Sequence, residues 1–140
     1  MISLPRRSAH RESGAAVVEF ALVLPMLLVV VVIIFDAGIL LYDKAVITNA
    51  SREAARAGIV ANQLSDSAIQ AIATTYCFGQ LVTFHSNNRT CTTTILHPSV
   101  ATGNPLTVTV TYAYRGMLLG TLITIPSATN LTATTIMNYE

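Results

Sequence analysis

The sequence predicts an α+β chain in which one long N-terminal helix, apolar enough to enter a membrane, carries a small head of antiparallel strands. Three observations predict it. Residues 20–35 hold no charge, and apolar residues resume at 37–42. Residues 43–62 turn polar and alanine-rich, with good helix formers after Asn49. Residues 64–140 are rich in threonine, short of charge and contain stretches of period-two alternation. The composition agrees: 52% of the 140 residues are hydrophobic and 11% charged, where soluble domains carry about 25% charged. A net charge of +1 gives no electrostatic footprint for a nucleic acid.

The apolar run is read as a membrane span. A helix needs about 20 apolar residues to cross roughly 30 Å of hydrocarbon, and residues 15–35 supply them. A buried core helix is the competing reading, but a chain this small has too little mass to surround one on all sides. Arg6, Arg7 and Arg11 precede the run and set the N-terminus in the cytoplasm by the positive-inside rule. The expected topology is single-pass, in a bacterial inner membrane, with the C-terminal part outside. A cleaved secretory signal has an apolar core of about 7–15 residues followed by small residues. Here the core is longer, and the small residues Ser13, Gly14, Ala15 and Ala16 precede it. A cut after Gly14 removes the basic leader, keeps the span, makes Ala15 the new N-terminus and makes Glu19 its fifth residue.

The stretch "SGAAVVEFALVLP", a glycine and then an apolar run with glutamate fifth after it, resembles the processing site of type IV pilin precursors. Together with "NASREAARAG" it resembles the TadE-like minor pilins of tight-adherence (Tad/Flp) pilus systems, and "LTVTVTYAYRG" and "NLTATTIMNYE" are similar to that family's C-terminal strands. The resemblance implies a type IV pilin-like architecture in four parts: a leader at 1–14, a transmembrane helix at 15–42, its projecting continuation at 43–62, and an extracytoplasmic head at 63–140. It implies cleavage between Gly14 and Ala15 by a prepilin peptidase, with Glu19 and Phe20 serving processing and assembly. The implied partners are the membrane, the major Flp-type pilin, other minor pilins and the inner-membrane assembly machinery, with no nucleic acid and no small-molecule substrate. A single-pass anchor whose head binds a surface and never enters a filament is the alternative; a membrane-tethered enzyme is a third class.

Glu19 supports the resemblance on physical grounds. A carboxylate in a membrane helix costs about 2.5–3.5 kcal/mol on insertion scales, so it calls for a partner. No Lys or Arg lies within a turn of it. Cleavage makes a cation, the α-amine of Ala15, which Glu19 can meet in its own helix or in a neighbouring copy. The competing reading lets Glu19 snorkel to the headgroups. Pro25 lacks an N–H and crowds the carbonyl of Ala21, which predicts a kink.

Further along, Ala50, Ala54, Ala57 and Gly58 form a small-residue stripe that permits close approach, and Gly58 stands near the expected helix end. "SDSAIQAIATTYC" reads as a helix capped by Ser65 or Asp66, with Ile69, Ile72 and Tyr76 on one face. "LTVTVTYAY" alternates as a half-buried strand, and "LVTFH", "CTTTIL" and "LTATTIMNY" are weaker strands. Cys77 and Cys91 are the only cysteines of an exported head; a disulfide is expected, against two free buried thiols. His10, His85 and His97 have no carboxylate or cysteine at ligand spacing. No catalytic residues, metal ligands or cofactor motif are expected.

Overall fold

The computed structural model describes residues 10–60, 64–84, 89–117 and 129–139, with side chains from Gly14 onward. Helix α1 spans His10–Val60, about 76 Å at 1.5 Å per residue. Helix α2 is Asp66–Cys77, and strands β1, β2 and β3 are Thr92–Leu96, Pro105–Tyr114 and Thr129–Asn138. The strands form one antiparallel sheet in the order β1-β2-β3. The class is therefore α+β: a long apolar helix, then a small head with a three-stranded antiparallel sheet and a Cys77–Cys91 disulfide, Cα–Cα 6.1 Å.

Alternation decides which face of the sheet is covered. Leu106, Val108, Val110, Tyr112 and Tyr114 of β2 are all buried, as are Leu131 and Ala133 of β3. The opposite face is threonine: Thr94, Thr109 and Thr134 form one cross-strand row, and Thr92, Thr111 and Thr132 the next. The covered face packs on α1, whose head-facing stripe is Asp36, Asp43, Val46, Ile47, Ala50, Ser51, Ala54 and Ala55. This repeat of three and four is one side of a 3.6-residue helix. Arg52, Glu53 and Arg56 lie exposed on another side.

The small-residue stripe serves the head. A Cβ on Gly58 meets Leu106 Cδ2 at 2.6 Å and Ile69 Cδ1 at 2.9 Å, so the glycine admits β2 and α2 against α1 and does not end the helix. Ser51 Oγ donates to the Thr48 carbonyl at 2.8 Å and stands 2.7 Å from Thr135 Oγ1, which satisfies the buried hydroxyl between α1 and β3.

Ser65 is the cap of α2: its Oγ accepts from Ala68 N–H at 3.4 Å. The buried line of α2 is Ile69, Ala73 and Cys77, with Ile72 and Tyr76 only half-buried beside it. The expected strand at "LVTFH" does not form across residues 81–84. Its amides go elsewhere: Leu81 N–H to the Cys77 carbonyl at 3.3 Å, Val82 N–H to Asp43 Oδ1 at 2.9 Å and Phe84 N–H to the Arg115 carbonyl at 3.3 Å. His85 lies outside the described residues.

Candidate functional site

Gly14, Ala15, Glu19, Phe20 and Pro25 all lie on the part of α1 that no described residue of the head covers, and all are exposed. Around them Val17, Phe20, Leu22, Met26, Ile34 and Phe35 are each more than 60% exposed. A helix apolar on every side and, among the described residues, uncovered by its own chain is suited to lipid or to neighbouring helices. Its most apolar 18 residues have a mean hydropathy of 3.1, and none is buried. A Cβ at Gly14 would meet nothing within 4 Å. Glycine costs a helix interior about 1 kcal/mol relative to alanine, so the fold itself has no use for it there. The helix runs unbroken through Pro25. Arg6 and Arg7 lie outside the described residues, as does the side chain of Arg11 on α1.

The junction between helix and head was not legible as a site. Asp36 and Asp43 stand seven residues apart, on one side of α1, and both are buried under the head. Asp36 Oδ1 accepts Met117 N–H at 2.8 Å, and Tyr114 Oη donates to the Asp36 carbonyl at 3.2 Å. Two turns on, Asp43 Oδ1 accepts Val82 N–H, and Tyr112 Oη donates to the Val82 carbonyl at 3.3 Å. Two carboxylates thus hold two head segments whose amides have no strand to join. The signal available in the sequence was their spacing: two acids on the face that becomes apolar after Asp43.

Burial pushes the Asp43 carboxyl above its usual range, with the Val82 N–H pulling the other way. Burial likewise raises Tyr112, and it raises Tyr114 to about 12, with the charges of Asp36 and Asp43 adding to the effect. Asp43 Oδ2 has no hydrogen-bond partner among the described residues. For an acid whose folded pKa lies above its unfolded one, the folded state holds the proton more tightly. Its contribution is fullest below the unfolded pKa of about 3.8 and is lost as pH rises through the raised value. Asp43→Asn is therefore expected to raise stability at neutral pH and flatten its fall between acid and neutral pH. Asp43→Ala orphans Val82 N–H and is expected to cost about 1–3 kcal/mol. Denaturant titration of the full chain in detergent across that pH range checks both; Asp43→Asn less stable than the parent at neutral pH refutes the account.

His97 has no carboxylate at ligand spacing in the sequence, but the fold brings one: its Nε2 lies 3.1 Å from Asp66 Oδ1, from 31 residues away. The pair ties the start of α2 to the end of β1, and Tyr139 meets the imidazole edge-on at 6.4 Å between centroids. Such an exposed pair contributes at most about 1 kcal/mol.

The comparisons bear on the helix. Residues 14–56 match the TadE-like protein family. The TadE-like match begins at the glycine whose presence the fold does not explain and ends inside α1, so it covers about a third of the chain and none of the sheet. Neither a curated protein nor a solved structure matches the chain. The TadE-like segment suggests a Tad pilus-associated, structural protein, and the uncovered apolar helix within it fits a single-pass membrane anchor.

Proposed function

We propose that the chain is a prepilin-like minor pilin that takes part in assembly of a Tad pilus after cleavage between Gly14 and Ala15. The observation that carries this is Gly14 itself, a residue the helix is better without, standing at the first position of the TadE-like match and directly before the apolar part of α1, where no residue from 15 to 35 is buried. A peptidase that admits only a minimal side chain before the cut accounts for it. The cut removes Arg6, Arg7 and Arg11, and leaves Glu19 fifth from a new amine. The partners on this reading are a prepilin peptidase, the major Flp-type pilin, other minor pilins and the inner-membrane assembly machinery. Burial of Asp36 by the head supports a span of residues 15–35, about 31 Å of helix; the basic residues before it favour a cytoplasmic N-terminus and a head outside.

Gly14→Val is expected to block maturation. Mass spectrometry of native and mutant protein checks it: the native chain should begin at Ala15 and the mutant should keep its leader. A native N-terminus anywhere else defeats the proposal. Recovery of the mature chain in sheared pili or in the membrane then separates a filament subunit from a membrane-resident assembly factor. A simple anchored binding module needs no cut after Gly14.

A further inference from the structure

The polypeptide between Ser67 and Tyr139 carries only two charges, Arg89 and Arg115, and the fold brings both to the same end of the head. Strand β2 runs antiparallel to α1. Its first residues lie by Gly58, where Leu106 approaches, and its last, Tyr114, bonds to Asp36. Arg115 follows Tyr114 directly. Thr92, which opens β1, pairs with Thr111 near the same end of β2. The chain leading into β1 therefore comes from that end, and Arg89 is on it, close enough to Tyr112 to act on its hydroxyl electrostatically. Arg89 and Arg115 are exposed, and so is Met117, at 46%. At the far end of the sheet stands an acid, Asp66, paired with His97 from the end of β1.

The level of this end along α1 is fixed by hydrogen bonds. Met117 N–H is held by Asp36, the residue after Phe35, and Val82 N–H by Asp43. With residues 15–35 spanning the hydrocarbon, Asp36 stands at its edge and Asp43 about 10 Å above it. The headgroup layer is roughly 5–7 Å thick on each side of the hydrocarbon core. The two arginines flank that layer, and Met117 sits at its lower boundary. The sequence beyond Met117 stays uncharged and apolar, "LLGTLITI".

We propose that the Arg89, Arg115 and Met117 end of the head docks onto the outer leaflet of the bilayer that α1 crosses, with the arginines on anionic lipid phosphates and Met117 at the acyl boundary. The occupant is set by charge: the two cations between Ser67 and Tyr139 stand together at the end that faces the anion-bearing surface, and the acid Asp66 stands at the opposite end of the sheet. Docking holds the head down beside its helix as well as through Asp36 and Asp43, so extraction into a filament must break lipid contacts first. The proposal rests on the membrane-anchor reading.

The test uses the full chain in vesicles of phosphatidylglycerol and phosphatidylethanolamine, with a spin label at Met117→Cys or, on the threonine face, at Thr134→Cys. The label at 117 should be shielded from a water-soluble relaxation agent and reached by oxygen; the label at 134 should be in water. Each arginine is expected to contribute about a fivefold shift in the docked population, so that Arg89→Gln with Arg115→Gln lowers it about thirtyfold. With both arginines kept, pure phosphatidylcholine vesicles or high salt should release the label at 117 as well. Flotation with the vesicles checks the anchor separately. A chain that floats while position 117 is as wet as position 134 overturns the docking alone. Release of the label by inorganic phosphate at constant ionic strength also overturns it, since the site is then for a free anion.

Discussion

Full-length protein carrying Cys77→Ser is expected to lose about 3 kcal/mol of head stability, as the chain-entropy account gives for a closed loop of this length. The bridge matters here because the rest of the head is thin. One layer, α1 and α2, covers one face of three strands, and the other face is open threonine. A head of this size commonly needs a staple. Cys77 ends α2 and Cys91 stands directly before β1, both buried, so the bridge closes the side of the core where α2 meets the sheet. The residues between them include 81–84, which hold no ladder hydrogen bonds and depend on Asp43 and Arg115. Without the bridge that segment gains most freedom in the unfolded chain. Cys91→Ser should behave like Cys77→Ser, and the double substitution should be no worse than either, because one bond is lost in all three. Reductant should bring the parent down to the level of the variants and leave the variants unmoved. Denaturant unfolding in detergent with and without reductant reads all of this. Variants that match the parent in the absence of reductant refute it.

What the sequence disclosed and what it hid divide along the range of the interactions. The long helix, β2 and the pairing of the cysteines follow from local pattern: an uncharged run, a strict alternation from Leu106 to Tyr114, and two thiols in a head that the basic leader predicts to be exported. The hidden features each depend on a partner far away in the chain. Asp43 looked like the first polar residue after a membrane span, and became a buried acceptor only because Val82 arrives from 39 residues on. Asp36 is held from 81 residues away. "LVTFH" has the composition of a strand, but its amides were already claimed. Gly58 was legible as a small residue near a helix end; that its smallness serves Leu106 and Ile69 was not. The stretch from Gly14 to Phe20 is the converse case. Among the described residues the fold gives Gly14, Glu19 and Phe20 no contact with the head, so their meaning stays in the sequence and in what lies outside the chain.

Glu19→Ala is expected to leave insertion and cleavage intact and to abolish or sharply reduce incorporation into pili. The carboxylate sits on the exposed apolar part of α1, a turn beyond Ala15. Removing it lifts an insertion cost of about 2.5–3.5 kcal/mol, so the variant should enter the membrane at least as well as the parent. Gly14 and the apolar run remain, so the peptidase should still cut. On the proposed processing, what disappears is the partner of the α-amine that cleavage creates at Ala15. Where helices pack and water is excluded, an amine and a carboxylate from adjacent copies attract far more strongly than in water. The separation that satisfies them also fixes how far one helix is staggered along the next. The variant should therefore accumulate in the membrane, processed and unassembled, with its share in sheared pili down about tenfold or more, the equivalent of at least about 1.4 kcal/mol per subunit. Glu19→Gln separates charge from shape: it keeps the length and the hydrogen-bonding oxygen but forms no ion pair, and should fail nearly as badly. Quantifying mature protein in membrane and pilus fractions for the parent and both variants decides it. If both variants enter pili at the parental level, Glu19 only reaches for the headgroups, and the register of the assembly is set by other contacts of the helix.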